Sequence, residues 1–270
     1  MPEFVRATIQ LYQQALRSTI KSLTRSWLLI PAVLLLALAM FAITGVAVSL
    51  GILGGFLLGA ANAFSMGMVL ALVEQAVLTT RTMVWNDIWN SAGQYFWDVI
   101  TIGFMIWVPL QVLELGTQTN PYGPVIVSGV FLLLFLLLNP VPEILYQRRS
   151  GGSLDTLKES YEFVLENWIE WFLPLAVLLF PLGLTFFFTV SSQGGRLIGL
   201  DFFQLLRLPF SILTSWFLYL GMSSSTASFL VLVLTPLAMV FMMLFRGHLF
   251  AGLHGTSRRQ RLFRARSDGL

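Results

Sequence analysis

The chain has no cysteine and only two histidines, His248 and His254. Disulfides, thiolate metal sites and cysteine nucleophiles are therefore excluded. Two imidazoles are too few for a multi-histidine metal cage. Charge is scarce as well. The 270 residues carry 16 Lys+Arg and 13 Asp+Glu, or 11%, against about 25% in a soluble domain. Apolar residues make up 56%, and mean hydropathy is +0.79. A water-soluble globule of this size lacks the polar surface to cover such a core. An ordinary cytosolic enzyme, a disordered chain and a nucleic-acid-binding domain are excluded, and the bilayer is the solvent. No cofactor is expected.

Six apolar stretches approach the roughly 20 residues that a membrane helix needs. They run from about Trp27 to Leu50, Gly55 to Leu78, Val99 to Leu115, Val125 to Tyr146, Ile169 to Val190 and Phe229 to Phe250. The first follows 26 mostly polar residues. It exceeds the apolar core of a signal peptide, about 7–15 residues, and is expected to be an uncleaved span. The expected fold is all-α: a polytopic membrane protein with six transmembrane helices, cytoplasmic amphipathic helices and one outer-leaflet helix. That last helix is Phe202–Leu220, interfacial or re-entrant rather than a seventh span. Asp201 is its expected N-cap, and Arg207 could snorkel to the headgroups. Residues 1–256 form one transmembrane domain, and residues 257–270 a basic cytoplasmic tail.

Lysine and arginine set the orientation. With both termini inside, only Arg196 and Arg207 lie outside, and the other 14 basic residues stay in the cytoplasm.

Three stretches carry helical stripes without being apolar enough to span. The first is Val5, Ile9, Tyr12, Leu16, Ile20 and Leu23. The second, over about Arg81 to Trp97, is Val84, Ile88, Ala92 and Tyr95. The third is Leu154, Leu157, Tyr161, Val164 and Trp168, started by Ser153 and Asp155. Each leads into an odd-numbered span and ends in a tryptophan: Trp27, Trp97 and Trp168, spaced by 70 and 71 residues. The pattern suggests three units, 1–78, 79–150 and 151–256, each an amphipathic helix followed by a helical hairpin. Chance spacing among eight tryptophans is the competing explanation.

Small residues recur every fourth position at Gly51, Gly55, Gly59, Ala63, Gly67 and Ala71, which lets helix backbones approach closely. Packing inside one bundle is favoured over a homodimer face. Glu74, Glu114 and Glu143 lie in or near spans, where charge is expensive and marks functional candidates. Their place near span ends favours snorkelling or interfacial ion pairing, with Arg81 seven residues after Glu74 and Arg148 five after Glu143. Asn139 and Glu143 nevertheless form a candidate polar site, because the Asn139–Glu143 run contains Pro140 and Pro142. Carbonyls freed there could line a cleft.

The tail arginines Arg258, Arg259, Arg261, Arg264 and Arg266, with Arg148 and Arg149, suit anionic lipid or an acidic partner. Nucleic acid is not an expected partner. His248 and His254 are six residues apart with no third ligand near, and read as interface histidines. Ser223, Ser224 and Ser225 have no histidine on their side of the membrane, so a serine hydrolase is unsupported. The turn Arg148–Ser153 lacks the lysine-hydroxyl ending of a phosphate loop.

The polar helix Ser153–Trp168, preceded by the proline-containing turn Asn139–Glu143, resembles a loose superfamily of six-span bacterial membrane proteins. That superfamily includes the membrane domain of glycerophosphoryl diester phosphodiesterases and related uncharacterised families. The resemblance implies a bacterial inner-membrane location. The long Ser191–Ser228 segment departs from it. So does the lack of a phosphodiesterase domain, which holds that family's catalytic residues; none is carried over. The expected function is a non-enzymatic membrane subunit, a scaffold or accessory component that organises lipids or a protein complex. The alternative is a transporter or channel component, motivated by the breaks at Gly51–Gly55 and Asn139–Glu143.

Overall fold

A computed structural model describes residues 3–148, 151–189 and 202–254. All regular structure among them is helical. The elements are α1 (Glu3–Arg25), α2 (Leu29–Ser49), α3 (Ile52–Leu78), α4 (Trp85–Asn90), α5 (Phe96–Thr117), α6 (Gly123–Leu137), α7 (Val141–Arg148), α8 (Ser153–Thr189), α9 (Phe202–Tyr219) and α10 (Ser224–Leu253). Five are long and apolar enough to cross a membrane: α2, α3, α5, the α6–α7 pair over Gly123–Arg148, and the Leu234–Leu253 part of α10. The chain is a multi-pass, all-helical membrane protein. The stretch expected from Ile169 forms the second half of α8, up to Thr189.

Three short connections turn the chain between neighbouring helices. Gly51, at φ 57°, takes a conformation that costs other residues steric strain and lets α2 fold back as α3. Between α5 and α6, the Asn120 side chain accepts from the Tyr122 N–H at 2.9 Å, an Asx-type turn. Between α9 and α10, Gly221 stands at φ 85°. There the Met222 N–H bonds Phe217 O and the Gly221 N–H bonds Leu218 O, both at 3.0 Å. This is a Schellman ending, after which Ser223 caps α10 by accepting from the Thr226 N–H.

Helix α10 is the hub, packing against α9, α1, α3, α2, α7 and α8. One core joins α2, α3 and α10 through Leu29, Val33, Leu72, Met239 and Leu244. A second joins α1, α7, α8 and α10 through Ala15, Ile144, Phe163, Trp171 and Phe250. The amphipathic N-terminal helix and the last turns of α10 therefore lie together. The hairpin α5–α6 is peripheral, with only Ile102 and Gly123 buried along it.

The structure divides the helical stripes. On α1, Ile9, Leu16 and Ile20 are exposed, Tyr12 and Leu23 pack against the cores, and Thr8, Ala15, Thr19 and Ser22 are buried. Small side chains let α1 approach α10 closely, near enough that Gly252 lies against Leu11. The helix expected over Arg81–Trp97 is only α4. The Asp87 carboxylate accepts the Val84 N–H at 2.8 Å and starts α4 there, and Gly93 at φ 78° ends the following turn. Ile88 and Tyr95 of its stripe are buried, but Val84 and Ala92 are exposed.

The small-residue ladder divides in two. Ala63, Gly67 and Ala71 are buried, and a Cβ at Gly67 would meet Tyr95 C at 3.0 Å and Phe96 N at 3.1 Å. Gly51, Gly55 and Gly59 face open space, and Gly54, outside the ladder, meets the Ala47 carbonyl instead. Substituting Gly67→Val should therefore destabilise by about 1–3 kcal/mol through overpacking, whereas Gly59→Val should leave the melting temperature in detergent unchanged. Equal melting of the two variants would contradict this division.

Candidate functional site: a clamped break in the fourth span

Pro140 and Pro142 have no N–H to donate, so two rungs of the helical hydrogen-bond ladder are missing there. The helix stops at Leu137 and resumes at Val141. The break frees backbone carbonyls in a half-buried place, where each needs a partner. Side chains from two other helices supply them. Ser160 of α8 donates to Leu137 O at 2.9 Å. Arg246 of α10 donates through Nη2 to Asn139 O at 2.7 Å.

The same guanidinium grips Glu143 with a two-pronged bond, Nε to Oε1 at 2.8 Å and Nη2 to Oε2 at 3.0 Å. The Glu143 side chain is 5% exposed, so this pairing is charge-assisted and well shielded from water. Glu143 also occupies the first turn of α7, where the helix dipole favours a negative charge. Trp171 completes the clamp: Arg246 lies 5.1 Å from its ring centroid, a cation–π distance, and its Nε1–H donates to Asn139 Oδ1 at 2.9 Å. One turn further along α7, Gln147 donates to Gly247 O at 2.8 Å.

Of the two residues in the candidate polar site, Asn139 and Glu143, both belong to this clamp. The pairing expected of Glu143 is corrected: its partner is Arg246, not Arg148. Arg148 instead bonds Glu159 at 2.8 Å. Likewise Glu74 accepts from the Tyr95 hydroxyl at 2.8 Å and from Gln94 at 3.3 Å, while Arg81 pairs with Asp87. Burial pushes the Asp87 carboxyl up, but bonds from Val84, Gln75 and Arg81 outweigh it and leave its pKa below the ordinary value. Glu114 is exposed. The tail arginines from Arg258 onward, Arg149 and Asp201 lie outside the described residues.

The histidines have separate roles. His248 Nε2 lies 2.9 Å from Ser22 Oγ, and Arg25 beside it donates to Ala76 O at 3.0 Å, a cation at the carbonyl end of α3. His254 stacks on Phe250 and Phe163, with Nε2 3.5 Å from Glu159. Burial and nearby Arg148 hold its pKa below the ordinary 6.5. Burial, and then Glu170, push the Tyr12 hydroxyl up to about 12; it donates to Glu170 O at 2.9 Å.

Beside the clamp is a cleft of about 510 Å3, lined in part by Gln94, Asp98, Arg148, Asp155 and Glu159. No group of three or more His, Cys, Asp or Glu among the described residues is arranged to hold a metal ion. Sequence reading overlooked Arg246 as a site residue. The signal was present: a basic residue inside the last apolar run, opposite in sign to a carboxylate in another span. Trp171 gave no such signal. No family model, curated protein or solved structure matches the chain.

Two outcomes follow from this geometry. Arg246→Ala should cost about 3–5 kcal/mol by stranding a buried carboxylate, while replacing both partners with apolar residues (Glu143→Leu with Arg246→Met) should recover most of that. An unchanged melting temperature for Arg246→Ala would remove the clamp from this account. For His254, a depressed folded pKa means that protons prefer the unfolded state, so its stabilising share is full above the ordinary 6.5 and fades as pH falls. Melting between pH 7 and 5 should therefore fall more steeply for the native chain than for His254→Phe; parallel slopes would contradict the assignment.

Proposed function

We propose that the protein is a non-enzymatic accessory or scaffold subunit of a bacterial inner-membrane complex, with six spans and both termini in the cytoplasm. Counting the second half of α8 as a span and α9 as a helix that dips in beside α10, six crossings return the chain to its starting side. The packing of α1 on the end of α10 agrees with that count. The orientation rests on the basic residues, and the bacterial location on the resemblance to six-span bacterial proteins.

The observation that carries the functional reading is the peripheral hairpin α5–α6. It leaves Phe104, Trp107, Val112, Val125, Leu132 and Leu133 exposed, a broad apolar flank suited to a neighbouring membrane subunit or to lipid. The paired charges support the same reading, because Glu143 and Arg246 are engaged in holding a helix break. Transport is the second reading, favoured by the interrupted fourth span. It ranks lower because the Asn139 carbonyl, which would coordinate a solute, is already filled by Arg246.

A photo-crosslinking residue at Val112, activated in native membranes, should give one discrete protein adduct that Trp107→Arg abolishes. Adducts with lipid alone would overturn the accessory reading.

A further inference from the structure

The helices that lead into the odd-numbered spans share a division of their surface. On α1, the exposed apolar residues Ile9, Leu16, Ile20 and, just past its end, Trp27 are separated by 7, 4 and 7 positions. At about 100° per residue they form one line. Thr8, Ala15, Thr19, Ser22 and Ser26 form a buried face against the bundle. Arg6, Gln10, Gln14, Arg17 and Lys21 form an exposed polar face. The three faces lie roughly a third of a turn apart.

The first part of α8 repeats this arrangement. Leu154, Tyr161, Leu165 and Trp168 are exposed and aligned, with spacings of 7, 4 and 3. Thr156, Ser160, Phe163 and Val164 are buried, and Asp155, Lys158, Glu162 and Glu166 are exposed. Passing around the helix in the direction of chain advance, both helices show apolar line, polar face and buried face in the same order. The short middle lead is consistent: Trp85, Trp89 and Trp97 are exposed while Ile88 and Tyr95 are buried. A helix with one side in a bundle and two others split into apolar and polar is solved by a membrane interface. There the apolar line enters the acyl region and the polar face meets water and headgroups.

We infer that the three leads form an in-plane collar seated in a single leaflet, with Ile9, Leu16, Ile20, Leu154, Tyr161 and Leu165 immersed in lipid. The occupant is lipid rather than a second protein because each apolar line runs into a span. Trp27 stands two residues before α2, Trp97 lies in the first turn of α5, and Trp168 adjoins the α8 kink at Asn167. The lines therefore lie at the depth where spans enter the hydrocarbon, and tryptophan is favoured at that depth. On α1 the exposed polar face described above carries Arg6, Arg17 and Lys21, which matches anionic headgroups. On α8 the corresponding face is mostly acidic, so the anionic lipid gathers on the α1 side.

The absence of native cysteine makes the test direct. Single nitroxide labels at Ile20→Cys, Leu165→Cys, Gln14→Cys and Glu162→Cys are placed in the full chain, in nanodiscs of phosphatidylglycerol and phosphatidylcholine. Relaxation by oxygen, which partitions into lipid, should exceed relaxation by a water-soluble nickel chelate several-fold at positions 20 and 165. The order should reverse at positions 14 and 162. Nickel access at 20 and 165 equal to that at 14 and 162 would overturn the collar. So would protection of 20 and 165 from both reagents, which would mean protein cover. The result is independent of the accessory reading, since a chain without any protein partner would still show the collar.

Discussion

A backbone that breaks inside a membrane protein must have its freed carbonyls filled, because the surroundings offer little water to fill them. The fourth span breaks at two prolines, and the arrangement of α7, α8 and α10 follows from that constraint. Arg246 reaches from α10 to the Asn139 carbonyl and to Glu143 together, and Ser160 reaches from α8 to Leu137. Trp171 then covers the guanidinium and holds the Asn139 side chain. The break is thus the place where three helices are tied in register. The charge pair need not add net stability, since desolvation offsets much of its attraction. Its structural consequence is specificity: only one placement of α10 against α7 pairs both charges and fills the carbonyl.

Polar pairing is concentrated at one end of the molecule. Ser22 with His248, Arg25 with Ala76, Glu74 with Tyr95, and Arg148 with Glu159 all lie near the end of α10 or the elements packed on it. The opposite connections, at Gly51, Asn120 and Gly221, rely on backbone conformation and short turns. Long polar side chains hold the first end, and tight turns hold the second. This division leaves the membrane-embedded middle of α2, α5 and α6 free of ionisable groups, as the cost of burying charge requires.

Much of this was legible in the sequence. Apolar runs of membrane length gave the helices, and Asn139–Glu143 gave the break, because proline acts on its own helix and needs no distant partner. What stayed hidden depends on tertiary neighbours. Glu143 and Arg246 are 103 residues apart, so nearby Arg148 was the natural but wrong partner. The Gly51–Ala71 ladder has one period throughout, yet only its second half meets a neighbour, because Tyr95 and Phe96 pack there. For α1 the periodicity was legible, but which side meets the bundle was not. A soluble protein turns an apolar stripe inward, but here the bundle takes the small residues with Tyr12 and Leu23 and leaves Ile9, Leu16 and Ile20 outside.

That reversal has a physical logic. Lipid tails are as apolar as leucine, so burying Leu16 against the bundle instead of lipid gains little. Close backbone approach through Thr8, Ala15, Thr19 and Ser22 gains dispersion contacts and satisfies hydroxyls locally, as Thr19 does by donating to Ala15 O at 2.7 Å. The same exchange explains why Ser160 and Asn167 occupy the buried side of α8 while Leu165 stays outside. On the bundle side of α1, then, small and polar residues hold the helix in place while Ile9, Leu16 and Ile20 face outward. The assignment of any helix face must therefore begin from which solvent, water or lipid, that face meets.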